Sequence, residues 1–151
     1  MPVPPSWGWK DDHPIVNVTW ADAQAYCGWA GVRLPKESEW EKAAHGEDGR
    51  TFPWGNTFDN TKLWCSVSEK RDSTAPVGSF PAGASPCGAL DMAGNVWQWC
   101  EDRYDTEHDW RVVRGGSWSS TNPVDFRAAS RLRDDPVYRG SDLGFRCASG
   151  P

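Results

Sequence analysis

Asp91-Met92-Ala93-Gly94-Asn95-Val96-Trp97-Gln98-Trp99 ends in a run, Val96 to Trp99, that reads as a strand. Downstream, Arg111 to Arg114 reads as another strand, and Gly115-Gly116 as the turn or bulge that follows it. Gly144 to Ala148 reads as a last short strand. Upstream, Ile15 to Trp20 alternates apolar and polar residues and reads as a short strand running into a helix cap. Thr19 is that cap, and Asp22, three residues on, completes a capping box. The helix so started runs from about Trp20 to Ala30, and Gly31 supplies a left-handed stop. Tyr26, Cys27 and Ala30 are its expected inward stripe. A second helix, from about Lys36 to His45, carries Glu37, Glu39 and Glu41 in its first turns, where negative charge suits the helix dipole, and Gly46 ends it.

Between these elements the chain is irregular. Residues 1–14 are a proline- and tryptophan-rich lead-in, and residues 46–90 are rich in Gly, Pro, Asp, Asn and Ser. So long a segment without regular structure is characteristic of a functional or ligand-organised region. Trp54, Phe58, Trp64 and Phe80 are the expected pins that hold it down. Residues 117–143 read as polar and turn-prone. Eleven tryptophans with 15 glycines and 12 prolines exclude a helical bundle and suit a loop-rich fold anchored by large aromatics.

One domain accounts for 151 residues, with no internal repeat and no linker. The net charge of -5 excludes a general nucleic-acid binder, which needs a basic face to displace counterions. No apolar run reaches the roughly 18 residues of a membrane helix. Met1-Pro2-Val3-Pro4-Pro5 has neither the charged nor the apolar part of a secretory signal, so none is expected in this chain; the location is otherwise open. Arg111 to Arg146 holds seven arginines and no lysine, which points to bidentate pairing with carboxylates or carbonyls, with a basic patch for an acidic partner as the alternative. The five cysteines show no CxxC, so zinc is not indicated; buried thiols and one long-range disulfide both remain open. His13, His45 and His108 lie in three unrelated segments, and no nucleophile elbow or phosphate loop occurs.

Eight segments in order carry a resemblance. They are His13 to Trp20, Tyr26 to Gly31, Arg33 to Glu41, Pro53 to Asn56, Ala75 to Gly78, Asp91 to Trp99, Arg114 to Trp118 and Gly144 to Cys147. Together they resemble the formylglycine-generating-enzyme (sulfatase-modifying-factor) domain. The resemblance implies an α+β, C-type-lectin fold over residues 1–151, with two helices, small twisted antiparallel sheets and much irregular loop. Only residues 1–12 precede the His-Pro motif, where family domains carry more, so the chain is either a minimal version or one lacking an N-terminal stretch.

The enzymes of that family bind copper through two cysteines after the Gly-Gly-Ser motif. The matching positions here are about Ser120 and Asp125, hard oxygen ligands that do not replace soft thiolates for Cu(I). The sulfoxide synthases that share the domain take part of an iron site from a second, histidine-rich domain, which is absent here. No catalysis and no required cofactor are therefore expected. Some family members bind calcium near the Gly-Asn-x-Trp motif, and the matching oxygen donors are the side chains of Asp91 and Gln98 with the carbonyls of Gly94 and Val96; a cap role for Asp91 is the alternative. Cys27 and Cys147 match a pair that is disulfide-linked in secreted members.

The span of about 114–146 also resembles the variable region of diversity-generating-retroelement proteins, whose frame is Arg114-Gly115-Gly116-Ser117-Trp118, Arg127-Ala128-Ala129, Arg131, Arg133, Pro136, Arg139 and Leu143 to Arg146. Set into it are chemically miscellaneous residues: Ser119, Ser120, Thr121, Val124, Asp125, Phe126, Ser130, Leu132, Asp134, Asp135, Val137, Tyr138, Gly140, Ser141 and Asp142. The resemblance implies that these form one exposed face for a protein or other macromolecular ligand, displayed by a monomer. Arg127, Arg131, Arg133 and Arg146 are then expected to bond carbonyls and carboxylates beneath. A merely solvated loop over residues 117–143 is the bland alternative, as is an unassigned or enzymatic member of the superfamily.

Overall fold

The computed structural model describes residues 2–150; Met1 and Pro151, the ends of the expected domain, lie outside the described residues. Two α-helices, α1 (Trp20–Trp29) and α2 (Glu37–His45), precede four strands, β1 (Trp97–Arg103), β2 (Arg111–Arg114), β3 (Arg131–Asp134) and β4 (Leu143–Phe145). The strands form one sheet in the order β3-β2-β1-β4. The β1/β2 and β2/β3 pairs are antiparallel, whereas β1/β4 is parallel, so the sheet is mixed rather than antiparallel throughout. Single turns of 3-10 helix occur at Pro81–Gly83 and Pro123–Phe126. Among the described residues no helix is long and apolar enough to cross a membrane.

Thr19 caps α1 as a capping box with Asp22, and its chain leaves the helix through Gly31 at φ 71°. In α2 the Glu39 carboxylate accepts the Lys36 N–H at 2.8 Å, and Gly46 ends the helix. Ile15 to Trp20 is not a strand. Asn17 adopts a left-handed φ of 58°, which breaks an extended ladder, and among these residues the cross-chain backbone bonds are Asn17 N–H to Gly140 O and Trp20 N–H to Pro136 O. Its alternation still serves packing, since Val16 and Val18 are buried. The inward stripe of α1 is Ala23 and Cys27; Tyr26 and Ala30 face outward.

Successive strand residues point to opposite sides of the sheet, and two cores result. Trp97, Trp99, Val113 and Leu143 pack with Val18, Ala23 and Cys27 under α1. Cys100 and Val112 pack with Trp40 and Ala44 under α2. A third cluster, Phe52, Leu63, Cys65, Ala93 and Phe126, sits beneath the long irregular segment, with Trp54 and Phe58 against it. Trp54 stacks on Phe52 at 5.5 Å, and Trp64 meets Phe80 at 6.2 Å, so the four expected pins do hold that segment.

The polar region 117–143 contains a strand that its composition hides. Arg131-Leu132-Arg133-Asp134 forms β3 at the sheet edge, where solvent removes the apolar alternation of a strand with one buried face. The last strand, expected to run to Ala148, ends at Phe145; Ala148 instead makes an isolated bridge with Arg33.

Candidate functional site

Within the frame of 114–146, Arg114, Ser117, Ala128, Leu143 and Gly144 are buried, whereas Arg127, Ala129, Arg131 and Arg133 are exposed. Arg114 is 1% exposed. Its Nη1 donates to the carbonyls of Ala128 at 3.0 Å and Ser130 at 2.8 Å, Nη2 pairs with Glu41, and Nε lies 3.2 Å from Glu37 Oε1. Glu37 also takes Arg131 through Nε at 2.7 Å and Nη2 at 2.9 Å. Two arginines therefore fasten β2, β3 and the Ala128 segment to α2. Arg139 donates to the Asn17 carbonyl at 2.9 Å and pairs with Asp22 at 2.6 Å, which ties the end of the region to α1. Trp118 Nε1 donates to the Ser141 carbonyl at 3.1 Å. At Gly116, with φ 70°, an added Cβ would stand 2.4 Å from the ring of Phe126, so this turn requires glycine.

Two arginines behave otherwise than expected. Among the described residues the Arg133 side chain bonds no carbonyl or carboxylate; its guanidinium lies over Trp110 at 4.0 Å and over Tyr104 at 5.2 Å. Arg127 is exposed, and its side chain has no polar partner among the described residues. Tyr104 and Trp110 were not legible as part of this region, because they come from the β1–β2 connection, far from β3 in sequence.

Of the interspersed residues, Ser119, Thr121, Val124, Leu132, Asp135, Val137 and Tyr138 are exposed, and Asp125, Ser130, Asp134, Ser141 and Asp142 are half-buried. Ser120, Phe126 and Gly140 are buried, and these three correct the expected display set. Phe126 is drawn inward by Gly116 and by Phe58, 6.1 Å away centroid to centroid. Gly140 lies under the Tyr138 ring, and its backbone carbonyl accepts from Asn17.

Several of the remaining side chains fall into two groups. Around Asp142, the Ser119 hydroxyl donates to Oδ2 at 2.9 Å, and Asp142 and Asp134 face Tyr138 closely enough to raise its phenol after burial does. Asp134 is itself pushed above the usual carboxylate range, first by burial and then by Asp142 and Asp135. Leu132 shares its side of β3 with Asp134. Around the Pro123–Phe126 turn, the Ser130 hydroxyl donates to the Val124 carbonyl, and Asn122 caps the turn through Val124 N–H at 3.1 Å. Ser117 joins the groups, with its Oγ 3.2 Å from Asp142 Oδ2 and 3.5 Å from Ser120 Oγ.

Ser120 and Asp125, the positions matched to a copper cysteine pair, are neighbours. A hydrogen bond from Ser120 reaches the Asp125 carboxyl, which burial holds above its ordinary value. They offer a hydroxyl and a carboxylate where Cu(I) chemistry requires soft sulfur, so this donor set does not fit that ion. The expected calcium donors fit poorly too. Gln98 Oε1 accepts Trp40 Nε1 at 2.8 Å and Arg146 Nε at 2.6 Å, so a guanidinium already faces the oxygen meant for the ion. Arg146 Nη2 also donates to Leu90 O at 2.8 Å, and Asp91 Oδ2 accepts the Gly78 N–H at 2.8 Å. Among the described residues no group of three His, Cys, Asp or Glu side chains converges as a metal site.

Cys27 and Cys147 are spatial neighbours, with sulfurs 3.4 Å apart and both thiols free. Burial, then Cys147, pushes the Cys27 thiol up to about 12.

Two helices against a small mixed sheet, with long pinned loops, are the C-type-lectin fold of the formylglycine-generating-enzyme type. The solved variable protein 1 of Treponema denticola superposes with a TM-score of 0.80 at 24% identity, covering 95% of this chain and 73% of that one. PvdO from Pseudomonas aeruginosa gives 0.79 at 26% identity, covering 93% and 63%. The Major Tropism Determinant U1 variant gives 0.62 at 16% identity, covering 85% and 36%, a likeness of fold alone.

The model of the sulfatase-modifying factor enzyme 1-like domain matches residues 5–150, and the chain belongs to that family. The bovine inactive C-alpha-formylglycine-generating enzyme 2 is 42% identical over 93% of this chain and 52% of its own length. Hercynine oxygenase of Mycobacterium tuberculosis is 38% identical over 91% and 37%, and mouse formylglycine-generating enzyme 35% over 93% and 45%. The chain thus spans about half or less of these relatives, which include both inactive and enzymatic proteins.

Proposed function

We propose that this domain binds a protein or other macromolecular ligand without catalysis, as the variable protein of a diversity-generating retroelement does, through the surface of residues 119–142. The supporting observation is the division of labour within 114–146. Arg114, Arg131, Arg139 and Arg146 bond inward to other segments, while the miscellaneous residues set into that frame, Phe126, Ser120 and Gly140 apart, reach solvent. A surface tolerates variation only where the fold does not rest on the varied side chains. The likeness to the Treponema denticola variable protein supports the fold that such display uses, and the oxygen donors at Ser120 and Asp125 speak against copper chemistry. The reading takes the domain as a monomer with no required cofactor.

The encoding DNA tests the retroelement role. A nearby near-copy of the segment for residues 114–146, differing only at adenines, supports it; an intact locus with no such copy and no reverse transcriptase contradicts it. The enzymatic reading, favoured by the hercynine oxygenase and formylglycine-generating-enzyme relatives, predicts stoichiometric, tight uptake of Cu(I) or Fe(II) by the purified chain. Binding no tighter than a Ser120→Ala, Asp125→Ala variant shows supports the non-catalytic reading.

A further inference from the structure

We propose that the outer edge of β3 receives an extended, basic segment of a protein partner as an added strand, with a lysine or arginine set beside Asp134 and Asp135. The proposal rests on reading residues 119–142 as the binding face and names the chemistry of its partner.

β3 is the end strand of the sheet and pairs with β2 alone. In such a strand every second residue turns its N–H and C=O outward. Among the described residues, no backbone or side-chain group outside the sheet ladder bonds the main chain of Arg131, Leu132 or Arg133. Exposed edges are commonly protected by charge, and both strand arginines could serve that purpose. Neither stands across this edge: Arg131 is tied to Glu37 and to the Tyr104 carbonyl, and Arg133 lies over Trp110. The opposite side of the strand carries Leu132, 48% exposed, and leads to Val137 and Tyr138, 74% and 45% exposed.

Charge selects the partner. Asp134, Asp135 and Asp142 make no ion pair among the described residues, whereas Arg131 and Arg139 of the same region are paired with Glu37 and Asp22 on the fold side. Arg133, the strand's remaining cation, lies over Trp110 on the other side, so these aspartates stand without an ion partner, and Asp142 disfavours ionisation of Asp134 while the Asp135 N–H, 3.1 Å from its carboxylate, favours it. A cationic side chain relieves that repulsion. Side chains of an added strand fall about 4.5–5.5 Å from those of β3, close enough for a basic residue to meet Asp134 and an apolar one to meet Leu132. Main-chain pairing supplies affinity for any extended segment, and the aspartates supply the preference for a basic one.

The probe is a capped hexapeptide alternating lysine and valine, added to the 15N-labelled full chain. The account expects shifts and slowed exchange at the β3 amides, centred on Leu132 to Asp135. Asp134→Asn with Asp135→Asn should weaken binding by roughly tenfold. N-methylation of alternate peptide nitrogens, which removes donors and keeps charge, should abolish it. Equal binding of a glutamate–valine peptide, unchanged binding of the N-methylated peptide, or shifts confined to other surfaces each overturn the proposal. So does β3 pairing with a second copy, seen as concentration-dependent shifts without peptide. Loss of fold when Leu132, Val137 and Tyr138 are replaced would refute the display reading itself; an intact fold with no peptide binding would refute only strand addition.

Discussion

Arg114 and Leu132 sit on adjacent strands of the same sheet, yet their surroundings are opposites. Arg114 is 1% exposed and reaches two carboxylates and two carbonyls from two segments; Leu132 is 48% exposed and lies beside carboxylates that make no ion pair among the described residues. The sheet interior and its edge thus differ: β2 is tied down by buried bonds, and β3 is open to solvent. On the proposed reading, β2 would hold the region in place and β3 would present it.

The contrast is broken most severely from the frame side. Arg114→Met leaves Glu41 and the Ala128 and Ser130 carbonyls without their donor, and loss of one partner of a buried pair costs about 3–5 kcal/mol. A fall in Tm of roughly 10 °C is expected in thermal unfolding, and a fall under about 2 °C would show that the network is not the anchor.

A smaller effect comes from Glu39, whose carboxylate meets Arg33 through two 2.7 Å bonds and caps α2. The Arg33 guanidinium, with the Lys36 N–H, holds its carboxyl down to about 2, against an ordinary 4.5. A depressed carboxyl stabilises the fold above its unfolded pKa and loses that contribution as pH falls. Glu39→Gln should therefore lower stability at pH 7 by no more than about 1 kcal/mol, since the pair is part-exposed. The gap to the parent should close between about pH 4.5 and 2 when both are followed by urea unfolding.

On the presenting side the sign reverses. Asp134 is raised by burial and by Asp142 and Asp135, so its ionisation opposes folding as pH climbs through the raised pKa, and the cost is absent below the ordinary carboxylate range. Asp134→Asn should raise Tm at pH 7 by about a degree or two and leave it unchanged in acid. A lower Tm at pH 7 would mean that the carboxylate supports the fold.

Much of the frame was legible in the sequence because local signals carry it. Thr19 with Asp22, Gly31, Gly46 and the Arg111–Arg114 run each state their structure within a few residues. The tryptophan and phenylalanine pins could be named because large aromatics in polar segments have few other uses. The failures came where distant segments decide. Asn17 turns left-handed and removes the strand expected at Ile15 to Trp20, although Val16 and Val18 pack as alternation implied. β3 is a strand because β2 pairs with it, and its own residues hide the fact. Phe126 looked like a contact residue until Gly116 opened the space that buries it. The calcium donors were matched one by one, but only the assembled fold brings Arg146 to 2.6 Å from Gln98 Oε1. Cys27 and Cys147 were matched by resemblance, and the fold sets their sulfurs 3.4 Å apart.

On the proposed reading the fold stands without the displayed side chains. The decisive measurement replaces Leu132, Val137 and Tyr138 with serine together and compares Tm with that of Arg114→Met. A loss within about 4 °C is expected for the triple variant, because exposed positions each contribute little. A loss as large as that of Arg114→Met would contradict that reading.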